Sequence, residues 1–358
     1  MSSIIGENIK VSLFGESHGP LVGATIHGLK AGIKIDEDFI RHQMKLRQAN
    51  DELSTKRKEV DEVKIVSGVF NGYTTGTPLT VVIENKNVIS EDYPKMFRPS
   101  HADYTQEIKY NGFQDYRGGG HFSGRLTAPL VALGSIAISV LKNKGVQIGS
   151  HIQSIHNIYD DALDYNNLNQ FFDYVNHEVF PVLNLEKKIL MVKEIETARD
   201  SLDSVGGVIE TVVILEKGVG EPFFNSLESK LSQYLFSVPG VKGIEFGLGF
   251  GFSSYYGSQV NDEFYYDNEV KTKINNNGGI NGGISNGMPI VFRVCLKPTP
   301  SIGKVQNSID GNMNNISLEI KGRHDPCIVR RARVVIDSLV ALALLDLITI
   351  NEGNKWMV

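Results

Sequence analysis

The chain has 358 residues, of which 41% are hydrophobic and 22% charged, with a formal charge of −5. That length can bury a large core, and the acidic balance gives no basis for nonspecific nucleic-acid binding. Two cysteines, Cys295 and Cys327, exclude a disulfide scaffold and make a reducing compartment the default.

In chain order, Lys10 to Phe14 predicts a short strand running into Gly15-Glu16-Ser17-His18-Gly19. Asp36 predicts the N-cap of a helix over Glu37 to Arg47, with Phe39, Ile40 and Met44 on one face. Val63 to Val69 and Leu79 to Glu84 read as strands joined by a turn-rich segment, 71–76. A helix over Ala128 to Asn143 is apolar almost all round, which argues for burial on more than one side. Ile152 to Leu185 is acidic and aromatic and shows no site. Lys188 to Leu202 predicts a helix, Gly207 to Glu216 a strand, Ser226 to Phe236 a helix and Gly243 to Phe252 a strand. Tyr255 to Asn286 reads as a long loop, a length that is uncommon unless functional or disordered. Ile290 to Leu296 predicts a strand, and Ile328 to Ile348 a closing helix.

The longest apolar stretch, Val334 to Ile350, is broken by Asp337 and Asp346. It is expected to be a buried helix rather than a membrane span, and the N-terminus shows no signal segment. The protein is therefore expected to be cytoplasmic. No linker divides the chain, so one α+β domain over 1–358 is expected. A glycine motif followed by an apolar helix occurs twice, which suggests two halves packing their helices together.

Three glycine-punctuated segments carry the chemistry. In the first, Ser17 and His18 are adjacent, a poor geometry for a Ser–His pair, and no G-x-S-x-G elbow is present. A loop histidine acting as proton donor or anion ligand fits better than a nucleophile, with a solvated turn as the plain alternative. The second, Arg117 to Arg125, places three glycines, His121, Ser123 and two arginines before a helix N-terminus, where backbone N–H groups and the helix dipole suit a phosphate. It is neither a Walker loop nor a dinucleotide fingerprint. The third, Gly322-Arg323-His324-Asp325-Pro326, offers Asp325 as a base or orienting group, or as a helix cap.

From Lys321 to Arg333 there are five Lys or Arg residues against one acid, a local concentration suited to a small polyanion. His101 lies between Arg98 and Asp103, which favours function over a lone structural imidazole. Lys297 to Ser301 and the Gly278 to Gly287 segment supply further donors. Cys327 reads as a small packed residue rather than a thiol nucleophile. No metal-ligand spacing occurs.

These segments together resemble the chorismate synthase family over essentially the whole chain. Gly15-Glu16-Ser17-His18-Gly19 resembles its N-terminal signature. Arg98 to Tyr104 with Tyr116-Arg117-Gly118-Gly119-Gly120 resembles the central one, and Gly322 to Cys327 the C-terminal one. Asp203 to Gly207, Gly220-Glu221-Pro222, Gly282 to Ser285 and Lys297-Pro298-Thr299 match in order between them.

The resemblance implies a β-α-β sandwich with a helical layer between antiparallel sheets, assembled as a homotetramer. It implies a lyase that removes phosphate and a ring proton from 5-enolpyruvylshikimate 3-phosphate in a 1,4-anti elimination, giving chorismate. Reduced FMN is implied as cofactor, supplied through an external flavin reductase. His18, His101 and Asp325 fall on catalytic positions. His121, Phe122, Ser123, Gly282, Lys297, Pro298, Thr299, Pro300, Ser301 and Arg323 fall on flavin positions, and Arg47, Arg125 and Arg331 are candidate substrate contacts.

The chain departs from the family at Leu46 and Glu52, where arginines are common, and at His121-Phe122-Ser123, where Arg-Ser-Ser is common. Leu126 and Asp337 stand where Glu is usual. These changes keep open a noncatalytic FMN- or anion-binding protein on the same fold. A flavin reductase is disfavoured by the missing nicotinamide fingerprint.

Overall fold

The computed structural model describes residues 3–48, 61–86, 95–320, 325–353 and 355. Mixed helices and antiparallel sheets make it α+β. The first sheet orders its strands Ile4–Ile5, Lys10–Gly15, Leu21–His27, Leu79–Glu84 and Lys64–Ser67. Its inner face follows the two-residue period of a strand: Val22, Ala24, Ile26, Leu79, Val81 and Ile83 are all buried. The second sheet runs Ile158–Tyr159, Gln147–Ile155, Gly207–Ile214, Ile290–Leu296 and Val241–Phe246. A small third sheet joins Asn315–Leu318, Gln306–Asp310 and Met96–Phe97.

Two helices fill the space these sheets create. Thr127–Lys142 packs on the Leu21–His27 and Leu79–Glu84 strands, and Val329–Gly353 packs on Gln147–Ile155 and Gly207–Ile214. The helices also pack on each other, most closely where Gly134 faces Ser338; a methyl at Gly134 would come within 2.3 Å of the Ser338 Cβ. Both are apolar round most of their circumference because neighbours surround them. Each fully buried leucine, such as Leu133 or Leu344, contributes about 1.5–3 kcal/mol of transfer free energy. Both segments have the length and hydropathy of a membrane span, yet 72% and 83% of their most apolar windows are buried inside the protein.

The second helix carries polar groups that the fold answers. Arg333 pairs with Asp337 at 3.0 Å, and Ser150 also donates to Asp337. Asp346 accepts from the Glu7, Asn8 and Ile9 amides at 2.9, 2.8 and 2.8 Å. Asp337, one of the departures noted in the sequence, is therefore a core anchor rather than a surface group.

Two expectations need correction. Tyr255 to Asn286 is not a structureless loop: it holds a one-turn helix, Gly257–Val260, and the hairpins Phe264–Asp267/Glu269–Thr272 and Ile280–Asn281/Ile284–Ser285. Asp262 organises it, accepting from the Asn276 and Asn277 amides, both at 2.8 Å. The strand expected over Gly243 to Phe252 is Val241–Phe246, followed by a 3-10 turn at Gly249–Ser254. Here the Glu245 carboxylate accepts the Phe250 amide and folds the chain back. The featureless 152–185 region contains the helix Leu168–His177, which covers part of the second sheet.

Candidate active site

The strand Lys10–Gly15 delivers the first motif to the edge of the core, where a turn closed by Gly19 N–H to the Glu16 carbonyl holds Ser17 and His18. Ser17 is buried, and its amide donates to the Gly120 carbonyl at 3.0 Å. The second motif lies directly against it. Gly118, Gly119 and Gly120 all adopt positive φ, 57°, 87° and 52°, a run that L side chains disfavour. A side chain at Gly118 would strike the His18 ring, with Cβ 2.1 Å from Cε1, and one at Gly120 would strike the Asp115 carbonyl. On the other side of the turn, the same construction at Gly119 lies 3.9 Å from Arg98 Nη2. One glycine turn thus touches the segments that carry His18 and His101.

His101 is held from both ring nitrogens. Nδ1 lies 3.3 Å from the Pro99 carbonyl, to which it donates, leaving Nε2 to accept from Ser301 Oγ at 2.9 Å. Burial lowers its pKa to about 4, with Arg98 and Lys297 pushing the same way and Asp103 opposing, so the ring is neutral near pH 7. Arg98 is itself fixed by a two-pronged pair to Asp103, at 2.7 and 2.8 Å. Lys297 donates to the Ser100 carbonyl at 2.7 Å, and Ser204 donates to the Thr299 carbonyl at 2.6 Å. The Lys297–Ser301 segment, with Pro298 and Pro300 stiffening it, is therefore strapped onto the His101 loop.

The arginine candidates form a continuous network around a residue the sequence reading did not select. Asp61 accepts from Arg47 at 3.0 Å through one oxygen and from Arg125 through the other. Arg47 also donates to Thr127 Oγ1 at 3.1 Å and the Gly124 carbonyl at 3.0 Å. Arg125 donates to Asn85 Oδ1 at 3.0 Å, and Asn85 donates to the carbonyls of Glu16 and Gly19 at 3.0 and 2.8 Å. Arg331 donates to the Arg47 carbonyl at 3.3 Å and to Asp325 at 3.0 Å. Asp325 also accepts the Cys327 amide at 3.2 Å, which closes a turn ahead of the helix that starts at Val329 rather than capping it. These contacts link the first two glycine motifs and Asp325 of the third. Among the described residues this network joins three guanidinium groups to two carboxylates.

Other candidates divide. His121 Nδ1 donates to the Gly15 carbonyl at 2.8 Å and Nε2 lies 3.3 Å from Ser3 Oγ, so this ring ties the first two motifs together. Phe122 is exposed and stacks edge-on against Tyr110, while Ser123 caps the following turn through the Arg125 amide. Gly282 belongs to a different neighbourhood, in the hairpin that packs on Ser226 and Leu227. Arg323 and Glu52 lie outside the described residues. Cys327 is buried and its thiol is pushed up to about 12 by desolvation, which removes it as a nucleophile.

A flavin phosphate and ring system needs cations, backbone donors and buried polar atoms lacking internal partners. Thr299 Oγ1 is such an atom: it is buried with no hydrogen-bond partner among the described residues, in the segment that also presents Lys297 and Ser301. The residues present fit the group. Among the described residues no cluster of His, Cys, Asp and Glu could hold a metal.

The profile of the chorismate synthase family matches residues 9–349. Chorismate synthase of Thermococcus kodakarensis is 42% identical, the alignment covering 99% of both chains. That of Korarchaeum cryptofilum is 40% identical over 96% of each. A crystal structure of chorismate synthase superposes with a TM-score of 0.76 at 28% identity, covering 98% of this chain and 94% of the other. Motif order, fold and relatives agree along the full length, and the chain belongs to the chorismate synthase family, whose members are carbon–oxygen lyases.

Proposed function

We propose that this protein converts 5-enolpyruvylshikimate 3-phosphate to chorismate by 1,4-anti elimination, in the shikimate pathway to the aromatic amino acids. The observation that supports this reading is the chain of contacts from the His18 turn through Asn85, Arg125, Asp61, Arg47 and Arg331 to Asp325, with the His101 segment on the other side of the glycine turn. The substrate bears a phosphate and two carboxylates, which guanidinium groups bind best in a geometry fixed in advance.

His101 begins neutral and flanked by Arg98 and Lys297. Reduced FMN is anionic, and held there by Lys297 and Ser301 it would favour the protonated ring, so His101 is proposed to manage the flavin's charge. Asp325, held by Arg331, is proposed as the carboxylate base that assists removal of the ring proton. His18, whose turn Asn85 fastens to Arg125, is proposed as the proton donor to the departing phosphate. When bound, reduced FMN supplies a transient electron to a reaction that is redox-neutral overall. Thr299, Ser301, Lys297, His121, Phe122 and Ser123 are proposed to hold it.

The sheet–helix–helix–sheet contacts support a β-α-β sandwich forming one domain, with assembly as a homotetramer in the cytoplasm and flavin reduced by a separate enzyme. An anaerobic assay with purified protein, reduced FMN and 5-enolpyruvylshikimate 3-phosphate tests the reading. Release of phosphate with chorismate supports it, flavin binding without turnover favours a noncatalytic binder, and NAD(P)H consumption favours a reductase.

A further inference from the structure

We propose that Asp61 is a positioning residue for the elimination, acting through Arg125 and Asn85 on the loop that carries His18. This rests on the proposed reaction but concerns a residue that contacts none of the reacting groups directly. The Asp61 side chain is 2% exposed, and each of its oxygens takes a different guanidinium. Neither arginine is replaceable by geometry alone. Arg47 spans Thr127, Gly124 and Asp61, while Arg125 spans Asn85, Glu84 and Asp61.

The two arms have different destinations. Through Arg125, Asp61 fixes the side-chain oxygen of Asn85, which leaves the Asn85 amide hydrogens aimed at the carbonyls on either side of Ser17 and His18. Through Arg47, whose carbonyl accepts from Arg331, it adjoins the guanidinium that holds Asp325. One carboxylate therefore sets the relative placement of a histidine loop and a carboxylate more than 300 residues apart in sequence. Buried networks of this kind respond as a unit, and displacements of about 1 Å in a site can cost about a hundredfold in rate.

Neutralising Asp61 adds positive charge to the site, so its effect on substrate binding and its effect on the chemical step point in opposite directions. In Asp61→Asn, kcat for chorismate formation is expected to fall about tenfold or more, while KM for 5-enolpyruvylshikimate 3-phosphate stays the same or drops. Asp61→Glu, which restores the charge, is expected to recover part of kcat. A second readout is independent of turnover: with ring-labelled histidine, the His18 NMR cross-peak is expected to move in Asp61→Asn, and that of His156, exposed beside Glu194, to stay. If Asp61→Asn does not fold, Asn85→Ala severs the same strut and is expected to shift His18 and kcat alike. A raised KM with kcat retained, or an unmoved His18 signal in either folded variant, overturns the proposal. A wild-type protein that makes no chorismate refutes the proposed reaction instead, and the His18 signal still decides the strut.

Discussion

Two histidines, half-buried His101 and buried His151, sit in opposite electrostatic settings. His101 is surrounded by Arg98 and Lys297, and desolvation with those cations holds it neutral. His151, on the Gln147–Ile155 strand, lies between Asp160 at 2.9 Å and Glu210 at 3.2 Å. Burial opposes its charge, yet the hydrogen bonds to the two carboxylates outweigh burial and raise its pKa. Asp160 is locked in turn by the Leu183 and Asn184 amides, so this trio fastens the helical cover of the second sheet to its strands. The contrast shows that burial alone does not mark a working histidine. A ring held in its uncharged form beside cations is ready for an anion, whereas one saturated by carboxylates has nothing left to offer.

Substitution separates the two most sharply. His18→Ala, His101→Ala and Asp325→Ala are each expected to lower turnover about a hundredfold or more, as measured by chorismate formation. His151→Ala is expected to keep kcat within about threefold, since nothing in its trio reaches the arginine network. If His151→Ala abolished turnover while the protein stayed folded, the comparison would fail. Instead, His151→Ala is expected to cost about 3 kcal/mol in denaturant unfolding, because two carboxylates then share a buried site without their cation.

The pH dependence of stability sharpens the contrast further. A depressed His101 pKa means the unfolded chain takes up a proton first, so stability falls as pH drops from about 6.5 to about 4. A raised His151 pKa works the other way: its contribution is complete below about 6.5 and is lost as pH climbs through the folded value. His101→Gln should flatten the acid side of the stability curve and His151→Gln the alkaline side. Finally, Ser301→Ala removes about 1 kcal/mol of support for the neutral His101 ring and should raise its NMR titration midpoint by roughly half to one unit.

The same pair explains what could be read in advance. His101 was legible because Arg98 and Asp103 flank it within the same short segment. His151 was not, since its partners come from a neighbouring turn and from the next strand, brought together by register alone. The two core helices were legible from their uniform apolarity, and their ends fell within a few residues of expectation. Asp61 and Asn85 escaped because every contact that gives them meaning spans at least 14 residues. The Tyr255 to Asn286 stretch was misread for another reason. Its first hairpin stands in solvent with Phe264, Tyr265 and Tyr266 exposed, so no alternation of apolar and polar residues announces it.

The glycine turn between His18 and the His101 segment also forecasts how this gene can drift. At Gly118 and Gly120 any missense codon plants a carbon inside an occupied atom, so both positions are closed to variation whatever the new residue's character. Gly124, a few residues on, meets nothing within 4 Å and lacks the unusual backbone angle, so alanine should pass there unnoticed. A deep mutational scan across 117–125 should therefore alternate between silence and loss at glycines that a consensus pattern would weigh equally.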